Sequence, residues 1–316
     1  MELIRGFEGL TESRRGAVVT LGNFDGVHRG HQALIREVQE IAAGLGAPAG
    51  VVTFEPHPRR FFQPDAPPFR LTIAEEKARI LAALGLDLLY ELRFDARLAG
   101  MEAEDFVERV LARGLGIRHL VVGEDFRFGR ARRGDVRLLR EMGAALGFGV
   151  TVRHLIAGPR GEYSSTAVRV LLEQGRVEEA AAQLGRWHTI RGRVMRSDQR
   201  GRELGFPTAN LAFGEQLVPR YGIYASRVEV LDGPHRGRWD GVASIGVRPT
   251  FGHNAPNFEV HLFDFEGDLY GADMAAGLVS WLREERRFDS VEALVAQMHE
   301  DAALARRRLA HARIPD

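Results

Sequence analysis

From Ala17 to about Leu184, apolar runs alternate with amphipathic stretches. Ala17-Val18-Val19-Thr20-Leu21 reads as a buried strand, followed by a glycine-rich loop and a helix over about residues 31–43. The pattern then repeats. Residues 50–54 form a second apolar run, and the next helix opens at Thr72 with Glu75 three residues on, the pattern of a capping box. Strands over 86–90, 119–122 and 150–152 alternate with helices over about 104–113 and 136–145. Repeated βα units predict a parallel, doubly wound sheet. Ligands of such sheets sit beyond the carboxyl ends of the strands, so the loops after Leu21, Phe54 and Val122 are the first places to look for chemistry.

The periodicity changes after Gly185. Segments 224–231, 242–247 and 258–265 are short, rich in β-branched and aromatic residues, and separated by Gly, Pro and Asp clusters, which predicts an antiparallel β domain. A final helix starts at Asp289, with Glu292 completing a capping box and Val291, Leu294, Val295, Met298 and Ala302 forming an apolar stripe.

Composition narrows the possible chemistry. The 316 residues carry 43 basic and 43 acidic side chains and no cysteine. Thiolate nucleophiles, disulfides, iron–sulfur clusters and cysteine-ligated zinc are therefore excluded, and a cytoplasmic setting is expected. A net charge of zero argues against nucleic acid as a partner. No apolar run is long enough for a membrane span, and residues 1–5 lack the blocks of a secretory signal. Lys77, the only lysine, reads as a mid-helix residue, and no Walker-type phosphate loop or protein-kinase motif set is present.

After the first strand comes Gly22-Asn23-Phe24-Asp25-Gly26-Val27-His28-Arg29-Gly30-His31. The spacing lets both imidazoles face one point at a helix start, where backbone N–H groups favour an anion. A lone His-x-x-His arises easily by chance, but a strand, a glycine-rich loop and His-x-Gly-His together resemble the signature of the nucleotidyltransferase superfamily. The longer string resembles the adenylyltransferase module of prokaryotic bifunctional riboflavin kinase/FAD synthetases. Ser164-Ser165-Thr166-Ala167-Val168-Arg169, by itself a helix cap, matches a second motif of that family. The resemblance implies ATP binding by Gly22, Asn23, Phe24, Asp25, Gly30, Ser164, Ser165 and Thr166. It implies that His28, His31 and Arg169 stabilise charge at the α-phosphate while an FMN phosphate oxygen attacks. Phe54, Pro56, Pro58 and Phe62, with Asp125 and Phe128, look like the family's flavin pocket, although Asp125 stands where some relatives carry Asn.

In the second half, Gly201-Arg202-Glu203-Leu204-Gly205-Phe206-Pro207-Thr208-Ala209-Asn210 resembles the riboflavin kinase signature. Thr208 and Asn210 are hard oxygen donors two residues apart, pointing the same way in an extended segment. The resemblance makes them Mg²⁺ ligands and makes Gly201, Gly205 and Pro207 part of the ATP loop. Strand alternation places Glu259 opposite the core-facing Phe258, Val260 and Leu262, and the family uses a glutamate there as base for the ribityl 5′-hydroxyl. Arg248-Pro249-Thr250-Phe251 also matches, and Arg286 and Arg287 fall in the segment that closes over the flavin in the family. Ser197 and Ser244 stand where relatives often have Gly and Asn.

The implied architecture is a Rossmann-like nucleotidyltransferase domain over residues 1–184 and an antiparallel, riboflavin kinase-like β-barrel with a terminal helix over 185–316. The implied substrates are riboflavin, FMN and ATP, with FAD as product and Mg²⁺ as the metal. Two alternatives remain at this point: a flavin- or nucleotide-binding regulator without turnover, and a cytidylyltransferase that would leave the β domain unexplained.

Overall fold

The computed structural model describes residues 1–154, 157–158, 161–196, 201, 204–247 and 256–314. Ser197, Arg202, Glu203 and the 248–251 motif lie outside them. Packing divides the chain into two compact units, one of Met1–Ala66 with Ala74–Ser164 and one of Pro67–Ile73 with Ser165–Asp316.

In the first unit six parallel strands lie in the order β1-β4-β3-β2-β5-β6: β1 Glu2–Arg5, β2 Val18–Leu21, β3 Ala49–Glu55, β4 Leu88–Arg93, β5 His119–Gly123 and β6 Gly149–Arg153. Chain order runs outward from β2 to β3 and β4, then returns to β5 on the other side of β2. The loop after β2 therefore lies at the topological switch point, where doubly wound sheets bind ligands. Helix α1, Arg29–Leu45, buries Ile35, Val38 and Ala42 against one face of the sheet, as its 3.6-residue spacing requires. Helices α2, Pro58–Phe62, and α3, Ala74–Ala83, follow β3. The segment expected as a helix over 104–113 is one α-turn, Ala103–Asp105, continued by a π-helix, Phe106–Leu115. Its wider winding still buries Phe106, Val107, Val110 and Leu111 on one side. Helix α4 is Val136–Leu146.

The second unit contains helices α5, Ser165–Glu173, and α6, Val177–Leu184, which the sequence reading grouped with the first catalytic segment. Val168, Leu172, Val177, Ala180 and Leu184 join the core of a six-stranded antiparallel sheet. Its strands are β7 His188–Arg193, β8 Ala209–Leu211, β9 Gly222–Val230, β10 Gly237–Val247, β11 Pro256–Leu262 and β12 Asp273–Arg283, in the order β8-β11-β10-β9-β12-β7. The sheet curls until its edges meet: just past β7, the Met195 N–H donates to the Asn210 carbonyl of β8 at 2.8 Å. Strand β12 escapes the alternation rule because it is buried on both faces. Met274, Ala276 and Leu278 face the barrel core, and Val279 packs in a separate cluster with Ala305 and Leu309 of the last helix.

That helix, α7, spans Val291–His311. Its cap is Ser290, whose hydroxyl accepts the Ala293 N–H at 3.1 Å, one residue later than the expected Asp289. The expected stripe shifts too: Val291 is exposed, and the buried positions are Asp301, Ala305 and Leu309, a period of four. Asp301 is held by a bidentate bond from Arg283 of β12 (2.9 and 2.6 Å) and by Gln297 (2.9 Å). Removing one partner of a buried pair leaves the other charge uncompensated, so Asp301→Ala is expected to destabilise this unit by about 3 kcal/mol. Trp187, Trp239 and Trp281, the only tryptophans, all belong to it, so urea unfolding followed by tryptophan fluorescence checks the value directly.

Candidate active sites

The loop leaving β2 is held in an unusual conformation. Phe24 (φ 51°) and Val27 (φ 41°) both occupy the left-handed region, which costs side-chain-bearing residues on the order of 1–3 kcal/mol each. The surroundings fix it there: Gly22 N–H donates to the Val52 carbonyl (3.1 Å), the Thr53 hydroxyl to the Asn23 carbonyl (3.2 Å), and the Gln32 amide to the Val27 carbonyl (2.9 Å). Asp25 is buried within the loop.

The loop delivers His28 to the N-cap of α1, where its Nδ1 accepts the His31 N–H at 3.4 Å. A neutral imidazole whose Nδ1 accepts carries its proton on Nε2, a donor suited to a phosphate oxygen. The His28 and His31 rings stack at 3.6 Å between centroids and 21° between planes, and Phe24 packs on His31 at 4.7 Å. Gly30 leaves room beside the stack, since a Cβ there would lie 3.1 Å from His28 Nδ1 and 3.2 Å from Tyr163 Cβ. Two imidazoles thus sit at a helix N-terminus at the switch point, an arrangement suited to an anion.

Phe54 at the end of β3 meets Phe94, just past β4, at 5.8 Å, and Phe61 and Phe62 of α2 pack edge-on to the same ring at 5.5 and 5.7 Å. Pro58 opens α2, and Pro56 follows a cis bond from Glu55. Phe94 was missed by sequence reading, although its place at a strand end was a usable signal. Asp125 is exposed in the loop after β5, whereas Phe128 is buried in the core against Phe106. Ser164 ends the first unit. Ser165 and Thr166 open α5 in the second, where Arg169 Nε donates to the Phe69 carbonyl at 2.8 Å.

Inside the second unit the kinase-signature residues converge. Asn210, Glu259 and Ser244 are direct cross-strand partners on β8, β11 and β10, so they share one face of the sheet. Phe258, Val260 and Leu262 face the core, as the alternation predicts. The Thr208 hydroxyl donates to Glu259 Oε2 at 3.3 Å, and the Asn257 amide donates to Oε1 at 2.6 Å, so both carboxylate oxygens are oriented. Asn257, two residues before Glu259 on the same strand, was absent from the sequence reading, though alternation alone puts it on that face.

Gly201 lies where a Cβ would come within 2.4 Å of the Phe206 carbonyl and 3.3 Å of Thr208 Oγ1. Its own carbonyl accepts the Phe206 N–H at 2.7 Å, closing the turn that presents Thr208. Gly205 has φ +79° in that turn. The Pro207 carbonyl accepts from the His261 ring at 2.9 Å, and burial holds the His261 pKa below its ordinary value. Thr208 borders a cavity of about 320 Å³ whose apolar walls include Val194, Leu262, Phe265 and Leu269, with Asp268 and Tyr270 also in its lining. Arg286 and Arg287 are exposed beyond β12, with Arg286 over the Phe288 ring at 4.9 Å. Among the described residues no helix is long and apolar enough to cross a membrane, and no group of three His, Cys, Asp or Glu could hold a metal ion.

Comparison with known proteins agrees with this two-part organisation. The family model described as FAD synthetase matches residues 10–167, and the one described as riboflavin kinase matches residues 184–309. A bifunctional riboflavin kinase/FMN adenylyltransferase of Pseudomonas fluorescens is 44% identical over 307 residues, covering 97% of both chains. The protein of that name from Escherichia coli K12 is 42% identical over the same share. A crystal structure named as a macrolide-efflux protein from Streptococcus pneumoniae superposes with a TM-score of 0.84 at 30% identity, covering 96% of this chain and 98% of its own. With both family models matched in chain order and full-length relatives above 40% identity, this chain belongs to the bifunctional riboflavin kinase/FMN adenylyltransferase family.

Proposed function

We propose that the chain phosphorylates riboflavin to FMN and then adenylylates FMN to FAD, with catalytic segments over residues 1–184 and 185–316. The observation that carries the reading is the pairing of Glu259 with Thr208 and Asn210 in the second unit, together with, in the first unit, a stacked histidine pair at the switch point of its sheet.

In the kinase step the riboflavin 5′-hydroxyl oxygen bonds to the γ-phosphorus, the bond to ADP breaks, and Glu259 takes the hydroxyl proton. Asn257 and Thr208 orient that carboxylate beforehand. Thr208 and Asn210 offer hard, uncharged oxygens, which fits a Mg²⁺ carried mainly by nucleotide phosphates. Bound there, the ion neutralises phosphate charge. The cavity beside Thr208 would take the nucleotide, with Pro207 in its lining and Gly201 and Gly205 in the turn that leads to Thr208.

In the adenylyl step an FMN phosphate oxygen bonds to the ATP α-phosphorus and pyrophosphate leaves. No protein nucleophile is required. His28 and His31 donate to phosphate oxygens as charge develops, and the Gly22–Asp25 loop lines the same site. For Ser164, Ser165, Thr166 and Arg169 the support is the motif itself. Phe54, Phe61, Phe62 and Phe94 offer edges and faces for a flat flavin ring. Pro56 and Pro58 belong to the segment between Phe54 and Phe62, for Asp125 the support is its loop motif, and Arg286 and Arg287 are assigned to the flavin of the kinase step. The cysteine-free composition supports a cytoplasmic setting.

Incubating the protein with riboflavin, ATP and Mg²⁺ and separating the flavins over time tests the reading. FMN is expected first and FAD second. FMN alone would remove the adenylyltransferase assignment, and no new flavin would leave a binding protein.

A further inference from the structure

Among 43 basic residues the chain has a single lysine, and the structure puts it in the interior. Lys77, on α3, is 1% exposed. Its Nζ lies 2.8 Å from Glu55 Oε1, 3.0 Å from Thr53 Oγ1 and 3.5 Å from the Asn23 carbonyl. Thr53 and Glu55 end β3, beside the segment that leads through Pro56 into α2. Asn23 begins the loop that leads to His28. One ammonium therefore ties the end of β3 to the loop that follows its neighbour β2 at the switch point, all within the first unit.

Stability gives little reason for a lysine here. A buried ion pair is often matched or bettered by apolar side chains of similar volume, so the charge calls for another explanation. The geometry suits lysine, because an ammonium turns divergent N–H donors towards acceptors on different segments, whereas the guanidinium found at every other Lys or Arg position of this chain holds its donors in one plane. Its partners include the Asn23 carbonyl of the strained loop and the two polar groups at the end of β3.

We propose that Lys77 is a positioning residue for adenylyl transfer, fixing the loop that carries His28 and His31 against the Phe54–Phe62 segment and so setting the alignment of the attacking phosphate with the ATP α-phosphate. The inference rests on the adenylyltransferase reading above. Misalignment of reacting groups by about 1 Å costs on the order of a hundredfold in rate.

The single lysine provides a readout that needs no assignment. Full-length protein labelled with ¹³C-lysine gives one Lys side-chain signal set, and its Cε–H cross-peak is expected to shift when Mg²⁺ with α,β-methylene-ATP, and then FMN, are added. Lys77→Met is expected to lower kcat for FMN to FAD by roughly ten- to a hundredfold with small changes in KM, and to leave riboflavin phosphorylation by the same molecules near its original rate. A cross-peak that stays put, a Lys77→Met protein with undiminished FAD synthesis, or an equal loss of both activities would each overturn the proposal. If Lys77→Met does not fold, the cross-peak of the unmodified protein decides. Unmodified protein that makes no FAD from FMN would instead refute the underlying reading.

Discussion

Replacing His28 with alanine is expected to stop flavin synthesis at FMN. The imidazole is buried, carries its donor proton on Nε2 and stacks on His31, so it is organised before any phosphate arrives. Loss of one preorganised donor at a centre of developing charge costs about 10²–10³ in kcat. His28 has a second role, since its Nδ1 caps α1, and losing a cap costs about 1 kcal/mol of stability. His28→Asn separates the two effects. Asparagine is a good N-cap but lacks the imidazole donor, so it is expected to recover the stability lost in His28→Ala without recovering FAD synthesis. Chromatography of flavins with riboflavin or FMN as starting material, together with thermal unfolding, measures both quantities. Loss of riboflavin phosphorylation in a folded His28→Ala protein would show that the residue does not act in one module alone.

How much of this was legible in the sequence depended on how local each signal was. The βα repeat announced the parallel sheet, and the ten-residue string around His28 announced its site, because strand, loop and helix start are contiguous. Glu259 was readable from alternation, since β11 has a single buried face. Signals made by distant segments were not readable. Lys77 looks like any mid-helix residue until α3 is packed beside the end of β3, and only then does its ammonium meet Asn23, Thr53 and Glu55. Phe128 sits in a loop that reads as a binding segment, yet the turn closed by its paired bonds with Gly134 directs the ring into the core. At the last helix two adjacent residues could each serve as cap. The choice of Ser290 over Asp289 accompanies the burial of Asp301, Ala305 and Leu309, a tertiary demand that outweighs local pattern.

The kinase step should fail in the opposite way. Glu259→Gln keeps the length of the side chain and one acceptor oxygen, but it removes the group that takes the proton and places an NH₂ where the carboxylate now meets donors from Thr208 and Asn257. General-base loss of this kind costs about 10²–10⁴ in rate, so riboflavin is expected to persist while FMN, supplied directly, is still converted to FAD. Because FMN is the product of one module and the substrate of the other, a mixture of His28→Ala and Glu259→Gln proteins should make FAD from riboflavin when neither does so alone. A lag set by the build-up of free FMN should precede it, and lengthen as the His28→Ala protein is diluted. Failure of the mixture, with each variant retaining its own remaining activity, would mean that FMN does not pass through solution between molecules. Glu259→Gln protein that phosphorylates riboflavin at the original rate would remove Glu259 from the chemistry and leave the carboxylate as an orienting partner of Thr208.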